Sequence, residues 1–181
     1  MLLNIITGSK SERIPRLYKE LSEQGITDYK FWPGVFLPSV KKSINLAHKQ
    51  IVEWAYENDL PEVAIAEDDF KGTNPNSWNF FLQNKPADFD IYLSSVFMGD
   101  LDGENKVHDF TGLTLYIIKN QFFAKFLTTP DDDHLDVLLG GLGDYRVCNP
   151  FTFIQYDGVS SNTGKIETYA NFFVNRNLYA G

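Results

Sequence analysis

The 181-residue chain has a single cysteine, Cys148, which excludes an intramolecular disulfide and any cysteine-rich metal site. Cys148 lies in an apolar stretch and reads as a buried, inert side chain. Basic residues are outnumbered: 16 Lys and Arg stand against 24 Asp and Glu, a formal charge of −8. A nucleic-acid binder needs a basic stripe to meet phosphates, and an anionic membrane surface attracts the same sign. The charge therefore argues against both partners. An acidic protein can still take an anionic nucleotide where a divalent metal mediates. Long hydrophobic runs are missing too, so no membrane-spanning segment is expected. The opening MLLNIITGSK is too short an apolar run for a secretory signal, and the expected location is cytoplasmic. No repeat, low-complexity tract or linker interrupts the chain. One domain over 1–181 is expected, with a polar and then aromatic tail from about 160.

What is present is an alternation of strand and helix signals. Residues 2–6 form a short apolar run closed by Thr7-Gly8. Ser9 stands three before Glu12, a capping-box pattern, and predicts a helix to about Gln24 that Gly25 closes. Ile14, Leu17 and Leu21 form its inner face. A strand at 29–35 and a helix at 40–58 follow, the latter striped by Ile44, Ile51, Val52 and Ala55. Residues 62–66 predict a third strand and 89–94 a fourth, with a short helix at 74–83 between them. Residues 96–109 read as a loop or hairpin, and 114–118 as a strand. Helices are predicted at 120–127 and 131–139, the second capped by Asp132 or Asp133. Late strands are predicted at 145–148 and 151–156. The fold class is therefore α/β, with a mostly parallel central sheet and helices on both faces. The strands at 2–6, 29–31, 63–66 and 91–93 are expected to be parallel neighbours.

Three carboxylates, Glu67, Asp68 and Asp69, follow the third strand directly. Ligands of such sheets bind beyond the carboxyl ends of the strands, and three adjacent acids there ask for a counter-charge. A divalent cation is one answer, magnesium or manganese suiting hard oxygen ligands. In an extended segment Glu67 and Asp69 would share a side as metal ligands, and Asp68 would face away toward a ribose hydroxyl. The other reading is a solvated turn.

At these residues the chain resembles glycosyltransferase family 25, which includes bacterial lipooligosaccharide and collagen galactosyltransferases. The resemblance rests on Ile5-Ile6 with Arg13, on Ser43-Ile44-Asn45-Leu46-Ala47-His48, and on Val63-Ala64-Ile65-Ala66-Glu67-Asp68-Asp69. Weaker matches follow in order: 89–93, 112–118, Asp133 with Asp136, 151–155 and Ser160-Ser161. The family's Gly-x-x-Gly-Cys lead-in is absent, and Ala47 stands where it has Ser. The resemblance implies a GT-A nucleotide-sugar fold, manganese or magnesium, and a UDP-sugar donor. It implies transfer of galactose to a glycan acceptor with inversion.

Other candidates attach to that site. His48 is either a buried structural histidine or a residue that orients the acidic cluster. Thr7, Lys10 and Arg13, after the first strand, are candidate nucleotide contacts, helix amides there favouring anions. An inverting transfer needs a general base, and Asp136 or Asp133 is the candidate, with the loop acids Asp100, Asp102 and Glu104 behind them. A non-catalytic carbohydrate- or nucleotide-binding module on the same fold is the competing reading, and a nucleotidyltransfer enzyme a third.

Overall fold

A computed structural model describes residues 1–8, 12–160 and 164–181. Its elements run β1 (Leu3–Thr7), α1 (Arg13–Glu23), β2 (Tyr29–Pro33), α2 (Val40–Glu57), β3 (Glu62–Glu67) and β4 (Phe70–Gly72). Next come α3 (Ser77–Gln83), β5 (Ile91–Leu93), β6 (Lys106–Val107), β7 (Leu115–Lys119), α4 (Asn120–Thr128) and α5 (Leu135–Leu139). The chain closes with β8 (Tyr145–Val147), β9 (Phe153–Gln155), β10 (Gly158–Val159), β11 (Ile166–Glu167) and a 3-10 helix at Tyr169–Phe173.

The helix ends follow from local chemistry. Gly25, at φ 64°, takes the left-handed turn that ends α1. Its N–H donates to the Ser22 carbonyl, and the Ile26 N–H reaches back to Leu21, the paired bonds of a Schellman closure. Ser39 caps α2 by accepting from the Lys42 N–H. The predicted capping serine of α1, Ser9, lies outside the described residues, and Glu12 at the N-cap makes no side-chain capping bond. The helix predicted over 131–139 begins only at Leu135; Asp132 and Asp133 precede it and do not cap it, His134 being the N-cap.

Seven strands form the central sheet in the order β2-β1-β3-β7-β5-β8-β6. β2, β1 and β3 are parallel, as are β5 and β8, whereas β7 and β6 run against their neighbours. The sheet is thus mixed but largely parallel, as expected. One neighbour relation differs. β5 does not lie beside β3, because β7 is inserted antiparallel between them. No crossover helix separates β5 from β7; the connecting loop turns back on itself through a Met98–Thr111 bridge. A chain that leaves and re-enters at the same sheet edge must run back antiparallel.

Helices cover both faces. Along β3, Val63 and Ile65 face one core while Ala64 and Ala66 face the other; β7 alternates likewise, Tyr116 and Ile118 against Leu115 and Ile117. The first core takes Ile51 and Val52 of α2 with Phe122, Phe123 and Phe126 of α4. The second takes Leu17 and Leu21 of α1 with Trp78 and Phe81 of α3. The aromatic richness is largely core: Phe81 stacks on Tyr92 at 4.5 Å with the planes 4° apart. The tail folds back, with Tyr179 stacked on Phe80 at 4.1 Å. Among the described residues no helix is long and apolar enough to cross a membrane.

A second small sheet, β4 with β9, is tied to α1 by one buried acid. Glu20 accepts from the Gly72 N–H at 2.7 Å and from the Tyr156 hydroxyl at 3.0 Å. Gly72 has no room for a side chain, since a Cβ would lie 2.0 Å from Gln24 Nε2. Glu20→Ala leaves these part-buried donors without their acceptor and is expected to cost about 1–2 kcal/mol. Urea denaturation followed by far-ultraviolet circular dichroism measures it, and an unchanged midpoint would show the tie to be idle.

Candidate functional site

The carboxyl ends of β1 and β3 lie side by side, because Ile6 is in register with Glu67. Above them opens a cleft of about 780 Å³, within the range of small-molecule sites. Its floor holds Gly8, Arg13, His48, Glu67, Asp68 and Asp69. One wall comes from Phe36, Val40 and Ile44 ahead of and along α2, and another from Phe97, Tyr169 and Phe172. Of the last three rings, Phe97 stacks on both others, 5.6 Å from Tyr169 and 5.4 Å from Phe172.

Asp68 and Asp69 form the turn between β3 and β4, so the expected extended alternation ends at Glu67. Both are buried, at 4% and 3% exposure. The counter-charge is Arg13. Its Nη1 lies 2.6 Å from Asp68 Oδ1 and 2.8 Å from Asp69 Oδ2, and its Nη2 donates to the Val159 carbonyl. Asp68 Oδ2 accepts from the Gly8 N–H at 2.8 Å, and Asp69 Oδ2 accepts from Gln155 Nε2 at 2.8 Å. Asp69 Oδ1 is buried without a hydrogen-bond partner among the described residues. Burial, and then the charge of Glu67, push the Asp69 carboxyl up to about 7 against the pull of Arg13 and Gln155.

Glu67, on the last position of β3, is less enclosed. Its Oε1 lies 3.5 Å from Nε2 of His48, a side chain only 1% exposed. The other ring nitrogen, Nδ1, is 2.9 Å from the Tyr116 hydroxyl. His48 sits on the inward side of α2, one turn after Ile44.

Asp136, at the start of α5, lines the cleft. Its Oδ2 accepts from the Gly112 N–H at 2.7 Å and its Oδ1 from the Val137 N–H at 2.9 Å. Asp133 is not among the cleft residues. It pairs with Lys41 and accepts from the His134 N–H, and the Lys41 bond holds its carboxyl below the usual range. Thr7 is also off the cleft, its hydroxyl donating to the Trp32 carbonyl at 3.0 Å. Asp102 is engaged in its own loop by the Glu104 and Lys106 N–H groups. Lys10 lies outside the described residues. Sequence reasoning missed Gln155, Tyr116 and the Gly112 amide. All three lie in the weaker matches at 112–118 and 151–155, which mark strands but not the contacts these groups make with residues far away in the chain.

For a divalent metal, the described residues supply no group of three or more His, Cys, Asp or Glu side chains. They supply a pair, Glu67 and Asp69, the latter with an unpartnered buried oxygen. Carboxylate oxygens are the donors that magnesium or manganese take, with phosphate oxygens completing the shell where protein ligands are few.

No family model and no curated protein sequence matches the chain. Solved structures do. Protein A197 from STIV matches with a TM-score of 0.54 at 16% identity, covering 91% of this chain and 92% of its own. HddC from Yersinia pseudotuberculosis, also solved with GMP-PN, matches at 0.55 and 12%, covering 85% and 92%. A glycosyltransferase involved in glycosylating the major capsid of PBCV-1 matches at 0.50 and 11%, covering 83% of each chain. At these identities the likeness shows the fold alone, which is GT-A-like, of the kind shared by glycosyltransferases and nucleotidyltransferases.

The Asp69 carboxyl carries a stability signature. Between about pH 4 and 7 the native state holds one proton more than the unfolded chain, whose aspartate ionises near 3.8. Stability therefore falls as pH rises through that window. Asp69→Asn removes the dependence. In chelator-treated protein it is expected to become more stable than the wild type by at most about 4 kcal/mol at pH 8, with the gap closing toward pH 4. Parallel urea melts across pH measure it; a gap that stays constant contradicts the buried, raised carboxyl.

Proposed function

We propose that this chain is a metal-dependent glycosyltransferase that moves a hexose from a nucleoside diphosphate sugar to a glycan hydroxyl. The observation that carries the reading is the acidic end of β3, buried and organised, opening onto a cleft that also presents Asp136. A UDP-sugar donor and galactose are the narrower proposals, following the family resemblance at Glu67-Asp68-Asp69.

Glu67 and Asp69 would hold magnesium or manganese, which supplies charge stabilisation to the departing diphosphate. Asp68, anchored by Gly8 and Arg13, would meet the donor's ribose. Arg13 keeps the turn from flying apart and adds positive charge beside the phosphates. Asp136 is the base. Its two backbone donors fix the carboxylate, which takes the proton of the acceptor hydroxyl as that oxygen bonds to the anomeric carbon. The bond from that carbon to the diphosphate oxygen breaks, and the configuration inverts. The ring-stacked wall of Phe97, Tyr169 and Phe172 offers flat apolar faces for a sugar or base.

Isothermal titration calorimetry with uridine diphosphate is expected to show affinity rising at least tenfold when manganese replaces chelator, with Asp69→Asn abolishing the gain. Equal affinity in excess chelator would sink the metal assignment. With a competent acceptor, Asp136→Asn is expected to lower kcat by roughly a hundredfold or more while donor affinity changes little. Intact turnover in that variant moves the base elsewhere. Release of pyrophosphate in place of nucleoside diphosphate would instead mark nucleotidyl transfer.

A further inference from the structure

Tyr116 lies in the middle of β7, opposite Ile65 on one side and Leu93 on the other, and is fully buried. Its ring stacks on His48, with centroids 5.8 Å apart and planes 28° apart. Among the described residues its hydroxyl meets one group, His48 Nδ1, at 2.9 Å. A phenol hydroxyl in a dry core requires an acceptor. Burial keeps the proton on it, pushing the phenol well above its ordinary range.

The neutral imidazole has two arrangements with the phenol. If Nδ1 carried the imidazole proton and donated, the Tyr116 proton would be left unpaired in the core, at a cost of about 1–3 kcal/mol. The lone pair of Nε2 would also face the Glu67 carboxylate. If Nδ1 accepts, the phenol is satisfied and the proton sits on Nε2, 3.5 Å from Glu67 Oε1. Both ends of the ring favour the second arrangement, since the partner at one nitrogen dictates the state of the other.

We propose that Tyr116 is a positioning residue that fixes His48 as the Nε2–H tautomer, so that the imidazole is a dedicated donor orienting Glu67 at the cleft. The inference deepens the proposed function, since the orientation of Glu67 matters to the donor only if Glu67 faces it. His48 and Tyr116 make the second tier behind that carboxylate. The helix face of α2 and the antiparallel strand β7 are both required to build it.

The test uses the full 15N-labelled chain, free of metal, and long-range 1H–15N correlation at the imidazole nitrogens. The chain has three histidines, and His48→Gln assigns the signal. The wild type is expected to show His48 protonated at Nε2 and unprotonated at Nδ1, and Tyr116→Phe to shift it toward the other tautomer. A wild-type proton on Nδ1, or an unchanged pattern in Tyr116→Phe, overturns the proposal. The wild-type spectrum decides by itself if that variant does not fold. In calorimetry with uridine diphosphate and manganese, Tyr116→Phe is expected to weaken binding about tenfold. Added to His48→Gln, whose amide donates whatever its neighbour does, it should weaken binding no further. A second tenfold loss there also overturns the proposal. Failure of the wild type to bind nucleotide would count against the proposed function, while the tautomer measurement would still decide the role of Tyr116.

Discussion

The site depends on one guanidinium. Arg13 reaches from the first turn of α1 to lie between Asp68 and Asp69, within 2.8 Å of both. Without it, two buried carboxylates next to a third would repel with no water to screen them. With it, the chain can turn sharply after β3 and send β4 away to pair with β9. That small sheet in turn delivers Gln155 to Asp69, and Glu20 of α1 holds its other edge. Arg13 and Glu20, seven residues apart on one helix, thus clamp the acidic turn from two directions.

The inserted strand β7 is the second constraint. Its alternation puts Leu115 and Ile117 into one core and Tyr116 and Ile118 into the other. The loop that feeds it places the Gly112 amide on Asp136, and the strand itself places Tyr116 on His48. A mostly parallel sheet therefore brings a late segment of chain against the strand end that carries the acids. The polar groups on either side of the cleft are positioned by the same return of the backbone.

Much of this was legible beforehand. The 3.6-residue spacing of Ile51, Val52 and Ala55 marks α2, Gly25 marks the end of α1, and the alternation of strands with helices marks the α/β class. The run 63–66 ahead of three acids marks the candidate site, and those acids do lie at a strand end beside a cleft. The position of β7 was less legible. Its run of apolar residues suits any central strand, and only the helix-free connection to β5 hints at its direction. The helix expected from Asp131 failed because Asp131 and Asp133 bond to Lys49 and Lys41 of α2, which tie this run of bends to that helix until Leu135.

The sequence by itself determined the principal helices and sheet strands, the class of fold and the place where acidic chemistry collects, because periodicity, caps and turns are properties of neighbouring residues. Only the tertiary structure decided what those acids are. It gave Asp68 and Asp69 a cation from helix α1, buried Asp69 until its carboxyl rises to about 7, and put Asp136 on the cleft while tying Asp133 to Lys41. The pairing of a buried charge is set by distance in space, and residues 13, 68, 116 and 155 are neighbours only once the sheet has assembled around them.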